Sequence, residues 1–173
     1  MISKIKSTLF KNAASYSIEK LKIQISNLGK YHEIIAVCPQ STGLNWKGIN
    51  IATKSMFPDK WFQLPQYFSN QIVSDNDLKL LFAIFKDSGG RAIVYNGFPI
   101  YFEKVVQFSK EVGLKVGVVY HGGLSEFAGK ALENISFGRI LKLKKIGIID
   151  EIAIMKIGLD SCIEDLTQQK IYR

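Results

Sequence analysis

The stretch Tyr120-His121-Gly122-Gly123-Leu124-Ser125-Glu126 holds the residue types closest to a chemistry in this chain. An imidazole takes up or gives back a proton near neutral pH. Two glycines without Cβ let a ligand approach the backbone closely. A helix capped by Ser125 would present free N–H groups to an anion or a sugar hydroxyl. The same residues also make an ordinary tight strand-to-helix turn, with Ser125 as the cap and His121 facing solvent. The pattern is not GxGxxG, so it gives no specific support for a dinucleotide.

Other candidates are plainer. Asn96-Gly97-Phe98-Pro99 follows an apolar run, and Asn96 could bond a ligand hydroxyl, although an Asn-Gly turn needs no ligand to explain it. Gln40-Ser41-Thr42-Gly43 has the composition of a polar ligand loop. Trp46 and Trp61 could stack on sugar rings or simply close an edge of the core. His32 reads as a surface residue. Two histidines far apart and no CxxC argue against zinc, and no metal or other cofactor is expected. GxSxG is absent, so no Ser-His-Asp order is assigned.

The totals bound the partners. Lys plus Arg is 23 and Asp plus Glu is 15, a net charge of +8. That balance suits an anionic partner such as a phosphate or an anionic membrane face, and equally a well-solvated basic surface. The lysines are scattered, so no specific nucleic-acid partner is expected; the densest group is Arg139, Lys142, Lys144 and Lys145. No apolar run reaches the roughly 18 residues that span a bilayer, and the N-terminus, with Lys4, Lys6 and Lys11 but no apolar h-region, does not read as a secretory signal. Cys38 and Cys162 are read as free or buried thiols of a reducing compartment. The expected location is cytoplasmic, at most peripheral to the inner face of a membrane.

The elements that must position these residues follow from periodicity. A helix is expected from Ser15 to Leu28, stopped by Gly29. Glu33–Cys38 reads as a buried strand, Gln40–Gly48 as a loop, and Ile49–Thr53 as another strand. Lys54–Asn70 shows no clear period and is expected to be irregular, with a helical turn around Asp59–Gln63. From Ser74 onward the pattern is regular: a helix with Leu78, Leu81, Phe82 and Phe85 on one face, then a strand Arg91–Asn96. A helix from Pro99 to Gly113, a strand Leu114–Tyr120, a helix from Ser125 to about Lys145 and a strand Ile148–Ile157 follow. The tail after Gly158 is polar. Apolar strands alternating with helices mean an α/β fold: a doubly wound, mostly parallel sheet with helices on both faces, one Rossmann-like domain over residues 1–173. Such sheets bind ligands beyond the carboxyl ends of their strands.

The run Val118-Val119-Tyr120-His121-Gly122-Gly123, a long following helix, then Leu143-Lys144-Lys145-Ile146-Gly147-Ile148-Ile149-Asp150-Glu151-Ile152-Ala153 with Lys156-Ile157-Gly158-Leu159, resembles the N-terminal domain of GT-B glycosyltransferases. The likeness is nearest to the bacterial type that builds surface polysaccharides, and Ala14-Ser15-Tyr16-Ser17-Ile18-Glu19 is similar to that family's opening. The resemblance implies an acceptor-holding half of a two-domain enzyme, binding a sugar or lipid-linked acceptor. The nucleotide-sugar would come through a C-terminal domain or a separate subunit, and the domain alone would be inactive. By the same resemblance His121 and the Gly122–Gly123 backbone face the transferred sugar. A carboxylate or histidine of this domain takes the acceptor proton, which makes His121 the candidate catalytic residue. Gly43, Asn96, Gly122, Gly123 and Ser125 are the expected substrate-binding set. The family's paired-glutamate donor motif is absent in its usual context; Glu103 and Glu111 reproduce only the spacing. The alternative is a non-enzymatic basic α/β module that binds an anionic membrane surface or a partner subunit.

Overall fold

The computed structural model describes residues 18–41, 46–64, 74–122, 131–155, 159–168 and 170–172. Its elements are a first helix α1 (residues 18–31), β1 (Ile34–Pro39), α2 (Lys47–Met56), β2 (Trp61–Leu64), α3 (Asp75–Asp87), β3 (Ala92–Asn96), α4 (Phe102–Glu111), β4 (Lys115–Tyr120), α5 (Ala131–Lys145), β5 (Glu151–Ile154) and α6 (Leu159–Thr167). All five strands pair in parallel, in the order β2-β1-β3-β4-β5. Parallel neighbours need a crossover, and strand order reverses between β1 and β3. The expected doubly wound, Rossmann-like α/β sheet is what the chain forms.

The strand pleat divides the side chains between two faces. Ile35, Ile93, Tyr95, Val116, Val118 and Ile152 share one apolar core with residues of α1, α3, α4 and α5, among them Ile25, Phe85, Phe102 and Ile140. Each fully buried aliphatic or aromatic side chain of this kind contributes roughly 1.5–3 kcal/mol. The alternate residues Cys38 and Asn96 point the other way, toward α2. Helices therefore lie on both faces. No helix among the described residues is long and apolar enough to cross a membrane.

Three expectations fail for identifiable reasons. Ile49–Thr53 is helix, not strand: Ile49 and Ile51 alternate as in a strand, but the buried positions are Asn50 and Thr53. A helix there supplies the crossover that parallel β1 and β2 require. Within the supposedly irregular stretch, Trp61–Leu64 is the edge strand β2, with Phe62 and Leu64 buried and Trp61 and Gln63 half-buried. Asp59 turns the chain into it with φ 61°. Gly29 does not stop α1, which runs on to residue 31. A Cβ on Gly29 would lie 2.7 Å from both the Phe85 carbonyl oxygen and the Ser88 Cβ, so the missing side chain lets α1 press against α3.

The later expectations hold more closely. Ser74 caps α3 in a capping box with Asp77, and Leu78, Leu81, Phe82 and Phe85 are buried. The last strand is shorter than expected, and the polar tail carries α6 and a parallel bridge from Tyr172 to Ala153. Ser15, and the start expected for α5 at Ser125, lie outside the described residues.

Candidate functional site

A cleft of about 500 Å³ opens at the carboxyl ends of β3 and β4. Trp46 and Ile49 at the start of α2 form one wall, and the β3–α4 turn, Gly97 to Ile100, forms another. Tyr120, His121 and Gly122 close it from β4, and Ile135, Ser136 and Arg139 from α5.

Trp46 is held in the left-handed region at φ 64°, an uncommon conformation for a bulky residue. Its ring sits over Gly97, where a Cβ would lie 3.1 Å from the indole. The pairing of an indole with a side-chain-free residue makes the Trp46 wall flat.

The polar groups of the site form one connected chain on the α2 face of the sheet. His121 Nε2 bonds Asn96 Oδ1, and Asn96 Nδ2 donates to Thr53 Oγ1 at 2.7 Å. Thr53 Oγ1 donates in turn to the Ile49 carbonyl at 2.7 Å. A hydroxyl has a single proton, so Thr53 accepts from Asn96 and fixes which end of the amide faces it. Asn96 therefore presents its oxygen to the ring, and His121 Nε2 must carry a proton. In the neutral ring the lone pair then lies on Nδ1.

The same stripe continues under α2. Asn50 Nδ2 donates to the Pro39 carbonyl at 2.9 Å and the Trp46 carbonyl at 2.7 Å. Its Oδ1 accepts from the Cys38 thiol at 3.2 Å and from the amide of Gln63. Burial pushes the Cys38 thiol up to about 11, with the Thr53 hydroxyl opposing, so it stays a neutral thiol near pH 7. Groups from β1, β2, β3 and the end of β4 are thus tied together through two polar residues of one helix. Buried polar groups satisfied in this way fix a single arrangement.

Of the expected residues, His121 and Gly122 lie on the cleft wall. Asn96 is fully buried and meets the cleft only through His121. Gly43, Gly123 and Ser125 lie outside the described residues. The space a Cβ would fill at Gly122 is taken by the hydroxyl and ring of Tyr120, so one close approach there comes from the chain itself. Trp46 belongs to the cleft and Trp61 does not. Thr53 and Arg139 were not singled out as site residues by sequence reasoning. Thr53 lay in the segment read as a strand, and Arg139 was read only as part of a basic cluster.

No protein-family model matches the chain, and no curated protein matches it either.

Proposed function

We propose that this chain is the acceptor-binding half of a GT-B-type glycosyltransferase, acting in polysaccharide or glycoconjugate synthesis with His121 as the base that takes the acceptor proton. The observation that carries the reading is the Thr53–Asn96–His121 relay. It ends in an imidazole on the wall of a cleft at the carboxyl edge of a parallel sheet. Binding on such an edge suits doubly wound sheets, and the flat indole of Trp46 suits the face of a sugar ring. The nucleotide-sugar would be brought by a second domain or subunit.

The test adds a donor-binding half and nucleotide-sugars to the chain and follows transfer, with backbone NMR shifts at Gly97, His121 and Gly122 as the binding readout. Transfer that is lost in His121→Ala supports the reading. No transfer, together with no shift at these residues with any sugar, removes it.

One observation favours the membrane reading in addition. One face of α2 carries Ile51, 63% exposed, between exposed Lys47 and Lys54, and the helix has no carboxylate. An anionic surface would attract each lysine by about 1 kcal/mol. Sedimentation with anionic vesicles that falls with salt supports it, and binding that is absent or salt-insensitive opposes it.

A further inference from the structure

Among the described residues the cleft wall carries one permanent cation. Arg139 Nη1 meets Glu103 Oε2 at 3.2 Å, and both side chains are about one-third exposed, 36% and 34%. Guanidinium has five N–H donors in a planar fork, and this single contact leaves the others available. Glu103 itself does not line the cleft, and no Asp or Glu does among the described residues. Among the described lining residues Arg139 is therefore the side chain with a fixed charge, and His121 can add positive charge but not negative. The rest of the wall is mainly apolar, from Trp46, Phe98, Pro99 and Ile100. An apolar wall strengthens an ion pair formed against it, because less water screens the charges.

We infer that the cleft selects a sugar bearing one anionic group, a carboxylate or a phosphate, and that Arg139 is the ligand of that group. The inference rests on the proposed reading of the cleft as an acceptor site and narrows its substrate class. Glu103 holds one edge of the guanidinium and so orients the remaining fork. A carboxylate or phosphate accepts two parallel N–H bonds from such a fork, which a neutral hydroxyl does not. Arg139 anchors the charge, and His121 lines the same cleft.

The experiment is an NMR titration of the full chain with glucose, glucuronate, glucose 6-phosphate and inorganic phosphate at two salt concentrations. The readouts are the backbone resonances of Gly97 and Ile100 and the Nε–H of Arg139. One of the two charged sugars is expected to saturate these shifts at a concentration at least ten-fold below glucose, and which one does so tells carboxylate from phosphate. Arg139→Gln should abolish that preference, Arg139→Lys should retain only part of it, and Lys142→Gln, an exposed change on the same helix outside the cleft, should leave it intact. Equal response to glucose and both charged sugars overturns the inference and leaves the acceptor reading standing. Equal weakening by Lys142→Gln and Arg139→Gln overturns it as well, because the attraction would then be diffuse surface charge. Saturation by inorganic phosphate as readily as by the sugar phosphate supports the anion site and counts against the sugar. Silence of the cleft resonances toward every probe overturns both.

Discussion

Asn96 accepts the Nε2 proton of His121 although it is itself fully buried, and it does so because its amide nitrogen is already given to Thr53. The pair sets the tautomer of the ring from beneath the sheet. In ¹⁵N-detected NMR the Nε2–H of His121 is expected as a resonance protected from exchange. Asn96→Leu removes the acceptor, so that proton should broaden into the solvent signal. Asn96→Asp should keep it, since a carboxylate still accepts. Thr53→Val frees the amide to flip, and protection should fall to an intermediate level. Unchanged protection in Asn96→Leu would mean that another group sets the tautomer. Removing a buried partner should also lower stability by roughly 1–3 kcal/mol, measured by urea unfolding.

Gly122 is the second point where the site is set by packing. A Cβ there would overlap the Tyr120 hydroxyl and sit 2.7 Å from its ring carbon Cε1. Tyr120 is buried against Phe137 of α5, with ring centroids 4.7 Å apart, so the ring has little room to yield. Gly122→Ala should destabilise the chain by about 1–3 kcal/mol, the usual range for overpacking. Adding Tyr120→Phe should recover only part of that loss, because the ring as well as the hydroxyl stands in the way. Full recovery in the double variant would show that the hydroxyl alone is the obstacle.

The contrast between the two halves of the chain explains what could be read from sequence. After Ser74, α3 and α4 carry their apolar residues at helical spacing and end at a glycine, so α3, β3, α4 and β4 followed from pattern alone. Ahead of it, α2 inverts the rule. Its buried residues are Asn50 and Thr53, while Ile51 faces water, and no periodicity of apolar residues could announce it. The four-residue edge strand β2 was too short to show a period. The site was legible in the same measure. His121 and its turn stood out as a strand-end imidazole with two glycines. The partners that orient it lie in the misread helix and at the buried end of β3. Asn96 was seen as a turn residue or a ligand contact, and its role as a support for His121 follows only from three-dimensional contact.

Cys38 gives a pH signature. Its pKa in the fold is about 11, raised from 9.0 by burial. Between these values the unfolded thiol has ionised and the folded one has not, so unfolding releases a proton and stability falls as pH rises from about 9 to 11. Below 9 the contribution is fully present. At roughly 1.4 kcal/mol per unit, and with each thiol half ionised at its own end of the window, the difference between the wild type and Cys38→Ala should change by about 2 kcal/mol across it. The variant as reference cancels the lysines and tyrosines that titrate nearby. A difference that stays flat from pH 8 to 11 would show that the thiol is solvated in the fold. The same burial should leave Cys38 unreactive toward thiol reagents at pH 7 until the chain unfolds.

Two helical glycines should respond to the same substitution with opposite signs. Alanine is favoured over glycine within a helix by about 1 kcal/mol. At Gly138 on the exposed side of α5, a Cβ meets nothing within 4 Å, so Gly138→Ala should stabilise the chain by roughly that amount. At Gly29 in α1 the same gain is available, but the new Cβ lies 2.7 Å from the Phe85 carbonyl oxygen and the Ser88 Cβ. Phe85 is fully buried in α3, and its backbone has no route of retreat that does not move the core. Overpacking of this kind costs about 1–3 kcal/mol and is at its upper end against backbone, so it should outweigh the propensity gain. The net loss expected for Gly29→Ala is about 1–2 kcal/mol. Urea midpoints at constant m-value decide both cases. A Gly29→Ala midpoint at or above that of the wild type would mean that α1 slides along α3 without loss, and that the Ser26–Ser88 contact at 3.2 Å does not fix their separation.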